Sequence, residues 1–502
     1  MTLPLQTTAG GVLLVPAILL PVAGMILSLA LGGRSAERVT LCVAPFGLAF
    51  AIGIAALVWR TGAPIAYVVG GIEPPLGIAL EADGVSAAML VVAALVVPAS
   101  LLFARANFET RESETESRAA LTFWIMLLGI WAALNLLFLG RDLFNLYVAV
   151  ELLTFAAAPL VCVSGKPETL AAALRYLLFA LIGSAFYLLG AALFYGTYGT
   201  LDIGLLAERV RPVPPVWLAA ALMTAGLLAK TALFPLHLWL PPAHANAPAG
   251  ASAILSGLVV KGSFFLVVRL WFNVLPALPT GAASMFLATL GSGAILFGSV
   301  LALRQERLKL LVAYSTIAQI GYLFLIFPLA SGAHPWTADG WTGGFMQVMA
   351  HAFAKASMFL AAGLIAEALG HDRIADLAGA GRAMPMTIFA LGLAGLSLMG
   401  LPPSGGFGAK WLLLRASIAS GEWVWALVIV AGGLLAAGYL YRILSRAVFE
   451  EEPIALKSRP RRSRETIALA LAIIAVVLGF APQNFFDFLQ IGRPAVSAGG
   501  PT

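Results

Sequence analysis

The chain has 502 residues, of which 61% are hydrophobic and only 11% charged, with a formal net charge of +6. That composition excludes a soluble globular domain and reads as an all-α polytopic membrane protein, with the lipid bilayer as its solvent and no nucleic acid among its expected partners. Cys42 and Cys162 stand alone and no GxxxxGK[ST] or GxGxxG phosphate loop occurs, so no iron–sulfur, metal, nucleotide or other cofactor is expected and driving energy must come from an ion gradient or a partner.

Apolar runs of at least ~18 residues mark candidate spans. Fourteen are expected, at 12–32, 38–59, 83–104, 120–139, 143–164, 169–195, 216–241, 248–273, 282–303, 308–330, 343–369, 385–417, 423–449 and 465–482. Between the second and third, AYVVGGIEPPLGIAL at 66–80 alternates β-like runs with Gly and Pro and reads as a hairpin, with an irregular loop as the alternative. RESETESR at 111–118 reads as a solvated turn, and RPRRSR at 459–464 as a topology determinant that lipid or a partner protein also has the chemistry to recognise. Of the 30 basic residues, 19 fall on the face after odd-numbered spans and 7 on the opposite face; Lys230, Lys261, Lys355 and Lys410 are within spans. The positive-inside rule then places both termini on the external side of a cytoplasmic membrane.

Span five contains Glu151, about nine residues beyond Asp142 and without a neighbouring charge. A carboxylate there is either protonated or paired with a lysine, and Lys230 is the natural partner. At ~4 Å such a pair is worth roughly 4 kcal/mol at an effective dielectric of 20, whether it serves proton exchange or only structure.

In span seven, Lys230 lies 13 residues after Trp217 and 11 before Pro241. At about 1.5 Å per residue it sits roughly 15–20 Å from either end, beyond the reach of a snorkelling side chain. Pro235 interrupts the helix just after it, freeing carbonyl groups that need partners. Lys261 is placed at similar depth in span eight, 13 residues after Pro248. A charge there costs roughly 2.5–3.5 kcal/mol unless it faces protein or water.

In span eleven, His351 and Lys355 are four apart and share a helical face. Histidine exchanges protons near neutral pH, so His351 reads as a relay group, with a satisfied core histidine as the alternative. Span twelve repeats the device of span seven: Pro402 and Pro403 break the run and Lys410 follows, with an interfacial lysine as the alternative. Two broken helices five spans apart suggest a five-helix unit used twice, the odd count inverting the second copy. The domains expected are 1–119, an N-terminal three-helix segment with the hairpin; 120–275 and 276–450, two half-channels; and 451–502, a basic loop and C-terminal helix.

These residues carry a family resemblance. AKTALFPLHLWLPPAHANAP at 229–248, the Lys261 segment, AYSTIAQIGY at 313–322, HAFAKASMFLAAG at 351–363 and GLPPSGGFGAK at 400–410 resemble the antiporter-like membrane subunits of respiratory complex I, membrane-bound hydrogenases and Mrp cation/proton antiporters. The resemblance covers most of the chain. It implies two inverted half-channels on a hydrated axis, with Glu151 and Lys230 paired, Lys261 central, His351 and Lys355 a relay and Lys410 at the exit. His237, His244, Ser315 and Thr316 lie inside the matching motifs and are candidate relay groups. Gly250, where a β-branched residue is usual, and the lack of tyrosine after Gly262 depart from the pattern without removing an ionisable group.

The length, the fourteen spans, the entry into span three GGIEPPLGIALEADGVSAAML at 70–90 and Lys410 favour the D-type subunit of an Mrp-like assembly, with protons, Na+ as a further candidate ion, and other membrane subunits as partners. A proton-pumping subunit of a redox-driven complex is the alternative, and an ion-coupled part of an inorganic-carbon uptake system the third reading.

Overall fold

The computed structural model describes residues 6–108, 117–449 and 456–494. The apolar runs are helices: α1 (Gly11–Leu31), α2 (Gly33–Thr61), α3 (Gly84–Phe108), α4 (Arg118–Leu139), α5 (Leu143–Cys162) and α6 (Pro167–Tyr198). After the short α7 (Ile203–Arg209) come α8 (Pro214–Thr231) and α9 (Leu240–Ala245). Next are α10 (Ala249–Val274), α11 (Gly281–Leu303), α12 (Leu308–Leu329) and α13 (Thr337–Leu369). The chain continues through α14 (Pro385–Met399), α15 (Gly405–Ala419), α16 (Trp423–Phe449), α17 (Arg462–Phe480) and α18 (Gln483–Gln490).

Among the described residues, twelve helices are long and apolar enough to cross a membrane. The two other expected spans, 216–241 and 385–417, are each interrupted. In the first, α8 stops at Thr231 and α9 starts at Leu240; in the second, α14 stops at Met399 and α15 starts at Gly405. Proline removes a donor and clashes with the preceding turn, and both interruptions contain it. The acidic turn at 111–118 falls outside the described residues apart from Ser117 and Arg118.

The expected hairpin is present as an antiparallel pair, β1 (Ile65–Val68) and β2 (Ala79–Ala82), in register Ile65↔Ala82. Arginines at helix ends tie the segment down. Arg141 pairs with Glu81 of β2 and, at 3.3 Å, with Asp202, while Arg269 meets Asp83 at 2.6 Å. The short elements α7 and α18 have no counterpart among the expected spans, because helices of seven and eight residues leave little periodic signal. Helix α18 buries Phe488 and Leu489, and the Leu489 carbonyl accepts from Trp341 Nε1 at 2.9 Å.

Two helices are buried along the whole of their apolar stretch, α10 and α13. A helix apolar on all sides belongs inside a bundle, and these two carry Lys261, His351 and Lys355 there. Around them, small residues set the spacing, since apolar surface alone gives helices in lipid no reason to associate. At the α6–α8 crossing, a Cβ on Gly226 would lie 2.1 Å from the Gly183 carbonyl oxygen, and one on Gly183 would lie 2.6 Å from that of Gly226. Only glycine allows this approach, and it seats Lys230, one turn after Gly226, against α6.

One loop pattern occurs twice. Leu143 N–H donates to Leu201 O (2.9 Å) and Ile203 N–H to Arg141 O (2.8 Å); later, Leu308 N–H donates to Asp372 O (2.7 Å) and Ile374 N–H to Glu306 O (2.8 Å). In each case the strand-like loop before a helix is pinned to the loop two helices further on.

Candidate functional site

The first cluster lies between α5 and α8. Asp142 caps α5 by accepting from the N–H groups of Phe144 and Asn145, and about two and a half turns later the helix presents Glu151. Lys230 Nζ donates to Glu151 Oε1 at 3.2 Å and to Thr154 Oγ1 at 2.9 Å. The lysine side chain is 4% exposed and the glutamate 13%. The ammonium is therefore held by a carboxylate and a hydroxyl one turn apart, as a desolvated charge requires.

The break after Lys230 is satisfied by protein groups. Ala232 adopts a left-handed conformation (φ 57°), Leu233 N–H reaches back to Leu228 O, and Trp239 Nε1 donates to Ala229 O at 2.9 Å. The Trp239 ring also stacks on Tyr176 of α6 at 4.4 Å.

The second cluster joins α10, α12 and α13. A π-helical turn, Leu255–Val259, precedes Lys261, and Lys261 Nζ donates to the Ser256 carbonyl. Such turns release carbonyls from regular pairing and recur at functional sites. Ser256 Oγ meets Thr316 Oγ1 at 2.9 Å, and Thr316 donates to Val312 O at 2.9 Å. Lys355 Nζ donates to the same Val312 carbonyl at 3.0 Å and to Ser315 Oγ. Lys261 and Lys355, both fully buried, thus stand at the two ends of one run of polar contacts.

The third cluster surrounds the second break. Lys410 Nζ donates to Leu398 O (2.6 Å) and Met399 O (3.2 Å), the carbonyls exposed where α14 ends, and lies 4.4 Å from the centre of the Tyr322 ring. Lys410 is 6% exposed, its ammonium occupied by protein groups. Gln319 Nε2 shares Leu398 O at 3.1 Å, and Gln347 Nε2 donates to Gln319 Oε1 at 2.9 Å. The two breaks thus use different donors, an indole in one and an ammonium in the other.

His351 stands between the second and third clusters. Gln347, His351 and Lys355 follow one another at i, i+4 and i+8 along α13, so they share one face. Neither ring nitrogen of His351 has a partner, nor has Gln347 Oε1, and His351 is 1% exposed. His244 is also buried with both nitrogens unpartnered, stacked at 4.5 Å on Phe359, one turn beyond Lys355. The structure places His237 elsewhere: its ring lies against Phe234 and Phe297, and its Nδ1 has no partner in these clusters. Pro235, Pro402 and Pro403 lie in the interruptions and are exposed.

Thr154, Tyr176, Trp239, Ser256, Gln319 and Gln347 are not among the residues singled out from the sequence. The signal for Gln347 is there, since it lies four residues before His351 on the same helical face. Gln319 also lies inside the AYSTIAQIGY motif. Nothing local to Ser256 announces its role, which depends on a turn of π-helix.

Fold and site together define a multi-pass membrane protein whose buried interior carries a series of lysines, a histidine and a carboxylate past two interrupted helices. The chain belongs to the NADH:quinone oxidoreductase/Mrp antiporter transmembrane family, whose profile matches residues 140–481. It is 33% identical over 482 residues to the N-type subunit of the NADH-quinone oxidoreductase of Desulforudis audaxviator, covering 92% of this chain and 94% of that protein. It is 28% identical to the D-type subunit of the Na(+)/H(+) antiporter of Alkalihalophilus pseudofirmus, covering 95% and 96%. A chain in the structure of the Mrp complex from Dietzia sp. DQ12-45-1b superposes with a TM-score of 0.86 at 24% identity, covering 97% of this chain and 98% of that one, a likeness of fold.

Proposed function

We propose that this chain is the proton-translocating membrane subunit of a multisubunit cation/proton antiporter of the Mrp type. Protons pass along Glu151, Lys230, Lys261, His351, Lys355 and Lys410, with Ser315, Thr316 and His244 beside the route. The observation that carries this reading is the run of contacts from Lys261 through Ser256, Thr316 and Val312 O to Lys355, buried in a molecule built for lipid. Charge is costly at such depth, so a series of lysines there calls for a function that uses it. The Glu151–Lys230 pair stabilises the protonated lysine, and lengthening that contact favours proton release to the next group.

The route lies in two half-channels, 120–275 and 276–450, the second inverted, preceded by 1–119 and followed by 451–502. Support comes from the recurrence of the loop pattern at Asp142/Asp202 and Arg307/Arg373, and from the interruption in each half. The chain lies in the cytoplasmic membrane with both termini outside, as its basic residues favour, and works with other membrane subunits.

A second reading, a proton-pumping subunit of a redox-driven complex, is favoured by the identity to an NADH-quinone oxidoreductase subunit. Purifying the intact complex and reconstituting it in vesicles separates the two. The antiporter reading predicts proton movement in response to an imposed Na+ gradient and co-purifying subunits without flavin or iron–sulfur centres. Proton movement only on addition of an electron donor would transfer the chain to the second class.

A further inference from the structure

Three membrane-crossing helices terminate together on the basic face: α3 ends at Phe108, α13 at Leu369, and α17 begins at Arg462. Between their ends is a cavity of about 260 Å³ walled by Asn107, Glu367, Ser458, Arg459, Arg461 and Arg464. Among the described residues its charge is unbalanced. Arg464 holds Glu367 in a two-pronged pair (2.5 and 2.9 Å), and Asn107 Nδ2 donates to the same carboxylate at 3.0 Å. This occupies the only carboxylate that the described residues bring to the wall. Arg459 and Arg461 have no acidic partner among the described residues.

Two further features favour an anion. Arg464 is 8% exposed and packed over the Phe103 ring at 4.1 Å, which fixes its positive charge at the cavity wall. Arg461 precedes the first turn of a 19-residue apolar helix, and its carbonyl accepts from Arg464 and Glu465, leaving the N–H groups of Arg462 and Ser463 at the helix start. The positive end of a helix dipole and unpaired backbone donors are suited to a phosphate oxygen, and a guanidinium matches its geometry.

We propose that this cavity is a phosphate-binding site for the headgroup of an anionic phospholipid. Arg459 and Arg461 hold the phosphate against the start of α17, and Arg464, fixed by Glu367 and Phe103, forms the floor. The site lies where three hydrophobic helices end, the level at which headgroups lie, and it is separate from the buried lysine route. Occupancy ties α3, α13 and α17 together at one membrane surface. It also gives the RPRRSR run a role as a lipid contact in addition to orienting the chain.

The intact complex, purified in mild detergent and delipidated, should be titrated with short-chain phosphatidylglycerol, short-chain phosphatidylcholine and inorganic phosphate, with bound ligand counted by native mass spectrometry. The wild type should take up one phosphatidylglycerol per chain in preference to phosphatidylcholine. The double variant Arg459→Gln/Arg461→Gln, both exposed positions, should bind it at least ~10-fold more weakly. Inorganic phosphate binding at this site without phosphatidylglycerol uptake would keep the phosphate chemistry and overturn the lipid assignment. Equal uptake by wild type and double variant, or no preference over phosphatidylcholine, would overturn the proposal.

Discussion

Lys261→Met should lower proton flux through the reconstituted complex by on the order of 100-fold or more, while the complex assembles in normal amount. Methionine keeps most of the side-chain volume in a fully buried position, so little of the loss should come from a cavity. What disappears is the ammonium that donates to the Ser256 carbonyl, at one end of the contacts leading to Lys355. Among the described residues no side-chain hydrogen bond joins Lys230 to Lys261, so this lysine is the first ionisable group beyond that gap. Passive acidification of vesicles holding the variant, measured with a pH-sensitive dye at matched protein content, checks the expectation. A flux within a factor of two of wild type would remove Lys261 from the route.

The second large effect concerns the pair at the other end. Glu151→Gln leaves Lys230 with Thr154 as its remaining native hydrogen-bond partner, and breaking a buried pair on one side typically costs roughly 3–5 kcal/mol. The single variant should therefore lose both transport and thermal stability. Replacing both partners, as Glu151→Gln/Lys230→Met, removes the stranded charge and should recover much of the stability, since buried pairs exchanged for neutral groups are often close to neutral in cost. Transport should not return. Thermal denaturation and vesicle flux measured on the same three preparations distinguish this from a purely structural pair, for which recovery of stability would restore transport as well.

Burial is the property most legible in the sequence. Lys230 and Lys261 can be placed well inside their apolar runs by counting residues, and the structure places both among buried groups, although α8 itself ends at Thr231, one residue past Lys230. Interruption is only partly legible: Pro235, Pro402 and Pro403 fall in breaks, whereas Pro21, Pro45, Pro98 and Pro159 lie inside continuous helices. The hydrogen-bond partners are less so, for a physical reason. Lys230 meets Glu151 and Thr154 from a helix more than seventy residues away, while Lys355 meets Val312 and Ser315 some forty residues back. Such contacts follow from which helices are neighbours, and small-residue crossings such as Gly183 with Gly226 decide that. Opposite outcomes at the two breaks illustrate the limit. Both contain proline, yet Trp239 serves the carbonyl in one and Lys410 serves those in the other. His237 shows it again: its motif brings it near the break, and the local path of the chain turns its ring toward Phe234 and Phe297.

The proposed proton transfer needs a continuous polar route through the buried helices, and His351 stands between two of the clusters along α13. Lys355 belongs to one cluster and Gln347 to the other, with the unpartnered ring nitrogens of His351 between them on the same face. The most direct measurement is therefore proton flux through vesicles containing the fully assembled complex with His351→Phe, a ring of similar shape that neither accepts nor donates a proton. With a single route through His351, flux falls to the level of protein-free vesicles while subunit content is unchanged. Flux equal to wild type through that aromatic side chain would contradict it.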